Sequence, residues 1–150
     1  MKSRVLFISL AMLAQRCGTS IPLDVENQLV RPVGVTVTAL AGQKMLVQYT
    51  VQNQERTFDG YNLAIARTTI GDGEAASLPP LTITGSYPTF IHSNSDYNPN
   101  LVISQTLSRF TNTMPFEVGT TYFFRLIAHS RKDPAKNSLP SNEVSATGMP

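Results

Sequence analysis

From Val33 onward apolar residues recur at every second position, and no stretch longer than a dozen residues carries a helical face. A period of two puts alternate side chains on opposite sides of an extended backbone, so each run reads as a strand with one buried face. Val33, Val35 and Val37 alternate with Gly34, Thr36 and Thr38. Met45, Val47 and Tyr49 alternate with Leu46, Gln48 and Thr50, and Tyr61, Leu63 and Ile65 alternate with Asn62, Ala64 and Ala66 after an Asp59-Gly60 turn. Leu101, Ile103, Gln105 and Leu107 continue the series, Tyr122, Phe124, Leu126 and Ala128 make its strongest apolar face, and Val144 marks a last strand within Ser138 to Thr147. Six or seven such strands predict an all-β fold, a two-sheet antiparallel β-sandwich over residues 32–150. The chain has one cysteine, so no internal disulfide can staple these strands, and the fold must rely on packing.

The first residues have a different grammar. Met1-Lys2-Ser3-Arg4 is a basic start, Val5 to Ala14 is an unbroken ten-residue apolar run, and polar residues follow from Gln15. The run is shorter than the roughly 18 to 20 residues a membrane-spanning helix needs, so residues 1–16 read as an export signal peptide. Cys17, directly after it, resembles the lipid-modified cysteine of bacterial lipoproteins. That resemblance covers Leu13-Ala14-Gln15-Arg16-Cys17 and departs from the usual pattern at Ala14 and Arg16, where an aliphatic and a small residue are customary. It implies a membrane held through a lipid anchor on Cys17, with residues 17–31 as a flexible tether. The alternatives are an ordinary secreted protein with an incidental thiol, and an intermolecular disulfide. Lys2, Arg4 and Arg16 precede every acidic residue, so from Cys17 onward nine basic residues face ten acidic ones. The alkaline pI is a property of the signal and gives no support to a nucleic-acid partner.

Over roughly Arg31 to Thr147 the sequence resembles the fibronectin type III domain. That family carries an aliphatic-x-Pro-Gly-x-x-Tyr signature before its sixth strand, and this chain reads Phe116-Glu117-Val118-Gly119-Thr120-Thr121-Tyr122. Tyr122-Phe123-Phe124-Arg125-Leu126-Ile127-Ala128 has the family's following alternation, and Gly60-Tyr61 sits where its third strand begins. The resemblance implies an immunoglobulin-like sandwich in which Tyr122 is a tyrosine corner, its ring buried and its hydroxyl bonded to backbone upstream, with Gly119 in the turn before it. It also implies that Tyr49 stands where the family has a core tryptophan, and a buried tyrosine needs a hydrogen-bond partner.

Thr68 to Asn100 is a long insertion between the third strand and the Leu101 strand, with Leu81-Thr82-Ile83 a possible short edge strand within it. Loops of that length are functional or disordered more often than not. Its Tyr87, Phe90, His92, Asp96 and Tyr97 are candidate ligand-binding residues, since tyrosines among Ser and Asn suit adaptable recognition. His92 and His129 fit no metal spacing or nucleophile motif. Ser93-Asn94-Ser95-Asp96 and Asp72-Gly73-Glu74 lack the ligand pattern of a calcium loop. Arg131-Lys132-Asp133-Pro134-Ala135-Lys136 gathers three cations at a hairpin tip, and no Arg-Gly-Asp tripeptide is present. No catalytic residue, metal or cofactor is expected. The reading is a non-catalytic, lipid-anchored binding or adhesion module of a bacterial cell envelope, its partner a protein or a matrix or envelope component. The alternatives are a structural spacer without a ligand and, less favoured, a small secreted hydrolase. A binder is expected to expose a contiguous aromatic patch on the insertion; a spacer is not.

Overall fold

The computed structural model describes residues 28–83 and 85–150, so the expected signal peptide, Cys17 and most of the tether lie outside the described residues. The described chain contains strands β1 (Thr36–Leu40), β2 (Lys44–Val51), β3 (Phe58–Ala66), β4 (Phe90–Ile91), β5 (Asn98–Leu107), β6 (Thr121–Ser130) and β7 (Val144–Thr147). One short helix, α1 (Asp72–Ala75), lies between β3 and β4, and single 3-10 turns lie at Asn94–Asp96 and Pro134–Lys136. All pairings between strands are antiparallel, in sheets of order β1-β2-β5 and β4-β3-β6-β7. This is the expected two-sheet β-sandwich.

The period of two in the sequence becomes the two faces of each sheet. In β2, Met45, Val47, Tyr49 and Val51 are buried while Leu46, Gln48 and Thr50 point outward. Tyr61 and Leu63 of β3 and Tyr122, Phe124, Leu126 and Ala128 of β6 meet them across the sandwich, with Phe58, Phe90, Leu107 and Phe116 filling the ends. Each large side chain buried there contributes roughly 1.5–3 kcal/mol, which is how the domain holds without a disulfide.

Four expectations shift in detail. Leu29 is buried in this core and its N–H donates to Lys136 O at 2.8 Å, so packing starts before Pro32 and takes in the end of the expected tether. Val33 is exposed and β1 starts only at Thr36. Leu101 is exposed too: Val102 pairs with Thr50 and Asn98 with Val51, so Leu101 falls in the register shift between them and leaves the alternation that buries Leu107. The edge strand of the insertion is Phe90–Ile91, paired with Gly60 and Tyr61, whereas Leu81–Ile83 forms no strand: its Leu81 N–H donates to Leu63 O at 3.3 Å and Ile83 makes an isolated bridge with Ser86. Gly60 is what lets β4 come so close: its φ is +142° and an added Cβ would lie 2.1 Å from the Phe90 carbonyl oxygen.

A tight corner precedes β6. Gly119 turns at φ +77° and donates its N–H to Gly148 O at 2.9 Å. The Tyr122 ring is wholly buried against Phe116 and Phe110, and its hydroxyl accepts the Glu117 N–H at 2.9 Å. Tyr122→Phe removes that acceptor and strands a backbone donor, so it is expected to cost about 1–3 kcal/mol in urea unfolding. An unchanged unfolding midpoint would remove the hydroxyl from the account of the corner.

Candidate ligand groove

The outward positions of β3 and β6 hold Ala64 and Ile127, an apolar surface on the back of the four-stranded sheet. Such a surface needs cover, and the insertion supplies it. Ile70 and Ala75 are buried against Ala64 and Ile127, with Leu78 and Phe123 packed around them, in a cluster separate from the main core. Polar contacts fasten this cover. Arg125, reaching out from β6, pairs with Asp72 of α1 and donates to Ser141 O at 3.0 Å, while the Ile70 N–H donates to the Glu143 carboxylate. On the other flank the chain between β6 and β7 lies along β6, where Ser138 and Ser141 hydroxyls accept the Ala128 and Leu126 N–H groups at 2.8 and 3.0 Å. Side-chain hydroxyls thus replace a strand partner and hold that loop against the sheet.

Between the insertion and this loop a groove of about 460 Å³ remains open. Its floor is Ala64 and Ile127, Pro80 and Pro134 stiffen its walls, and its polar groups include Asn62, Tyr87, Asp72 and Asn137. Asn62 is 8% exposed; its amide donates to the Tyr87 hydroxyl at 3.3 Å, and its Oδ1 is buried without a partner. Tyr87 is exposed but anchored, its ring meeting His129 edge-on at 4.7 Å between centroids, and His129 Nδ1 lies 2.7 Å from Asp59 Oδ1. No lysine or arginine lines the groove, and its one carboxylate, Asp72, is already paired with Arg125. The arrangement therefore offers neutral donors and acceptors above an apolar floor, the composition of a small-ligand site rather than an anion site. Among the described residues no group of three or more His, Cys, Asp or Glu is placed to hold a metal ion.

The five residues singled out in the insertion do not share one surface. Tyr87 lines the groove. Phe90 is a core residue, 4% exposed and stacked on Tyr49 with centroids 5.1 Å apart. His92 turns inward: its Nε2 meets the Tyr49 hydroxyl at 2.9 Å, which supplies the partner that the buried tyrosine requires. Asp96 caps the 3-10 turn, accepting the Ser93 N–H at 2.7 Å, and that donation holds its carboxyl below the usual range. Tyr97 is exposed beside the start of β5. Burial pushes the Tyr61 phenol up to about 12 and the Tyr49 phenol up as well, and it pushes the His92 imidazole down, against the opposing pull of the Asp96 carboxylate 3.9 Å away. Sequence reasoning passed over Asn62, Ala64, Ile127 and Asn137. The available signal was the uncharged outward row of β3, Asn62, Ala64 and Ala66, which marks a covered face rather than a solvated one.

No family model matches the chain, and no curated protein matches it in sequence. Among solved structures it is similar to the chicken CNTN1 FN1-FN3 domains, at 18% identity and a TM-score of 0.49 over 81% of this chain and 32% of that one. It spans about a third of that structure. It is also similar to an Fn3-like protein from Clostridium thermocellum, at 13% identity and a TM-score of 0.41 over 83% of this chain and 96% of that one. The strand pairings themselves establish an all-β sandwich of two antiparallel sheets.

His92 provides a test of the interior. With its imidazole favoured neutral when folded, the unfolded chain takes up the proton first as pH falls below about 6.5. Unfolding free energy is therefore expected to decline from neutral pH through that range, and His92→Gln, which does not titrate, is expected to flatten that part of a urea-titration series. An unaltered slope in the variant would mean the folded state accepts the proton as readily as the unfolded one.

Proposed function

We propose that this chain is a non-catalytic binding module, exported and tethered to a bacterial membrane through Cys17, whose ligand site is the groove between the insertion and the β6–β7 loop. The observation that carries the binding part is the insertion itself: one ion pair and a private apolar cluster hold it over the sheet, yet a groove lined mostly by neutral groups is left open beside it. The ligand is uncharged, with an apolar side and a few hydrogen-bonding groups. The aromatic patch expected of a binder is not what supports this reading, because Phe90 and His92 point inward. Their inward packing favours the second reading, a spacer that uses the insertion to stiffen the domain.

The absence of tryptophan allows a direct test. Leu139 is half exposed on the groove wall, so Leu139→Trp installs a unique fluorophore there. Titration with a panel of neutral oligosaccharides and short uncharged peptides is expected to shift its emission for one class, and Asn62→Ala with Tyr87→Ala is expected to weaken that response by about tenfold or more while the fold persists. No shift with any member would favour the spacer. The anchoring part is tested by the intact mass of membrane-fraction protein with and without Cys17→Ala. Cleavage before Cys17 with added acyl chains, lost in the variant, is expected; a soluble unmodified product would make the protein a secreted one.

A further inference from the structure

The three-stranded sheet carries almost no charge. Its outward rows, read across β1, β2 and β5, are Thr36–Gln48–Ser104, Thr38–Leu46–Thr106 and the pair Thr50–Val102. Lys44, at the β1–β2 turn, is the one charged residue in the three strands. On one side of the sandwich β1 runs beside β7. On the other side β5 ends its sheet, and among the described residues its outer edge has no strand partner.

An open edge presents a row of backbone donors and acceptors, and natural proteins blunt such edges with charge, proline, bulges or cover. Here Pro99 and the register shift opposite Thr50 and Val51 protect the start of β5, and Leu81, Thr82 and Ile83 lie beside its end at Thr106 and Leu107, which leaves the middle of the strand open. From Leu101 to Leu107 the strand has no proline, glycine or charged residue, and Leu101 and Val102 are 56% and 57% exposed. Ile91 on β4, the edge strand of the other sheet, is 64% exposed.

We propose that the β5 edge pairs with the β5 edge of a second copy of this chain, joining two three-stranded sheets into one of six strands about a two-fold axis. An antiparallel edge is its own complement under two-fold symmetry, so residue pairs across the axis repeat in reverse. Only the residue on the axis meets its own copy, and each other residue meets one equally far on the opposite side, so a charged stretch would bring like charges close together and oppose the pairing. This strand has none. A charged partner, by contrast, finds nothing on β5 to recognise. The two copies would present their grooves outward, since each groove lies on the other sheet of its own sandwich.

The test uses the full chain, kept reduced so that Cys17 cannot cross-link. Sedimentation velocity over a wide range of concentration is expected to show a monomer–dimer equilibrium, with amide exchange slowing in Leu101–Gln105 as the dimer fills. Ser104→Lys, at an outward and exposed position, is expected to abolish the dimer and to leave the melting temperature unchanged at concentrations where the parent chain is monomeric. Leu101→Asn, a second exposed position, is expected to weaken it, and covers the case of a Ser104 variant that fails to fold. A monomer at every concentration overturns the proposal. So does a dimer that both variants leave intact, which would place the interface elsewhere, and so does concentration-independent protection of β5 in a monomer, which would assign the edge to residues 1–27 of the same chain.

Discussion

Three buried phenols organise this domain. Tyr49, Tyr61 and Tyr122 are each at most 1% exposed, and a phenol hydroxyl taken from water without a partner would cost more than its ring gains at the margin. Each hydroxyl is met by a different loop: His92 of the insertion for Tyr49, Asn53 and the Gln52 N–H of the β2–β3 connection for Tyr61, and the Glu117 N–H before β6 for Tyr122. The rings hold the sheets together and the hydroxyls position the connections. In a sandwich without an internal disulfide, one set of side chains does both.

The Tyr49 position shows how the insertion is tied to the core. Phe90 stacks on Tyr49 and His92 bonds its hydroxyl, so β4 is anchored from inside the sandwich as well as by its pairing with β3. At the other end of the insertion, Ile70 and Ala75 are held from outside, against the back of the sheet. The segment therefore wraps one edge of the four-stranded sheet and is fastened at both ends. A segment so constrained can form a pre-organised wall, which lowers the ordering cost of binding beside it.

The two outer faces of the sandwich are treated differently. The four-stranded sheet is covered, and the groove is the part of that cover left open. Among the described residues the three-stranded sheet has no such cover, and its surface is threonine, serine, glutamine and a few aliphatic side chains in place of the usual mixture of charges. Ligand capture on one face and self-association at the edge of the other would not compete for the same surface.

Alternation alone determined the fold class, because a period of two leaves a strand only one way to bury its apolar side. The corner at Phe116 to Tyr122 entered only as what the family resemblance implies, and in the structure the Tyr122 hydroxyl accepts the Glu117 N–H five residues upstream, a contact local enough for a short motif to carry. Core membership of Tyr49, Tyr61 and Tyr122 was legible from the alternation. Only the tertiary structure decided where the insertion goes. Tyr87, Phe90 and His92 are near neighbours in sequence, yet one lines a groove, one fills the core and one bonds a core tyrosine, an assignment set by which face of β3 each passes rather than by residue type. The groove needs β3, β6, α1 and the β6–β7 loop together, separated by up to some eighty residues, and no local pattern encodes that meeting. Leu101 illustrates the converse: its alternation is that of a core strand, but it falls in the register shift between β2 and β5, and register is a property of the pairing rather than of one strand.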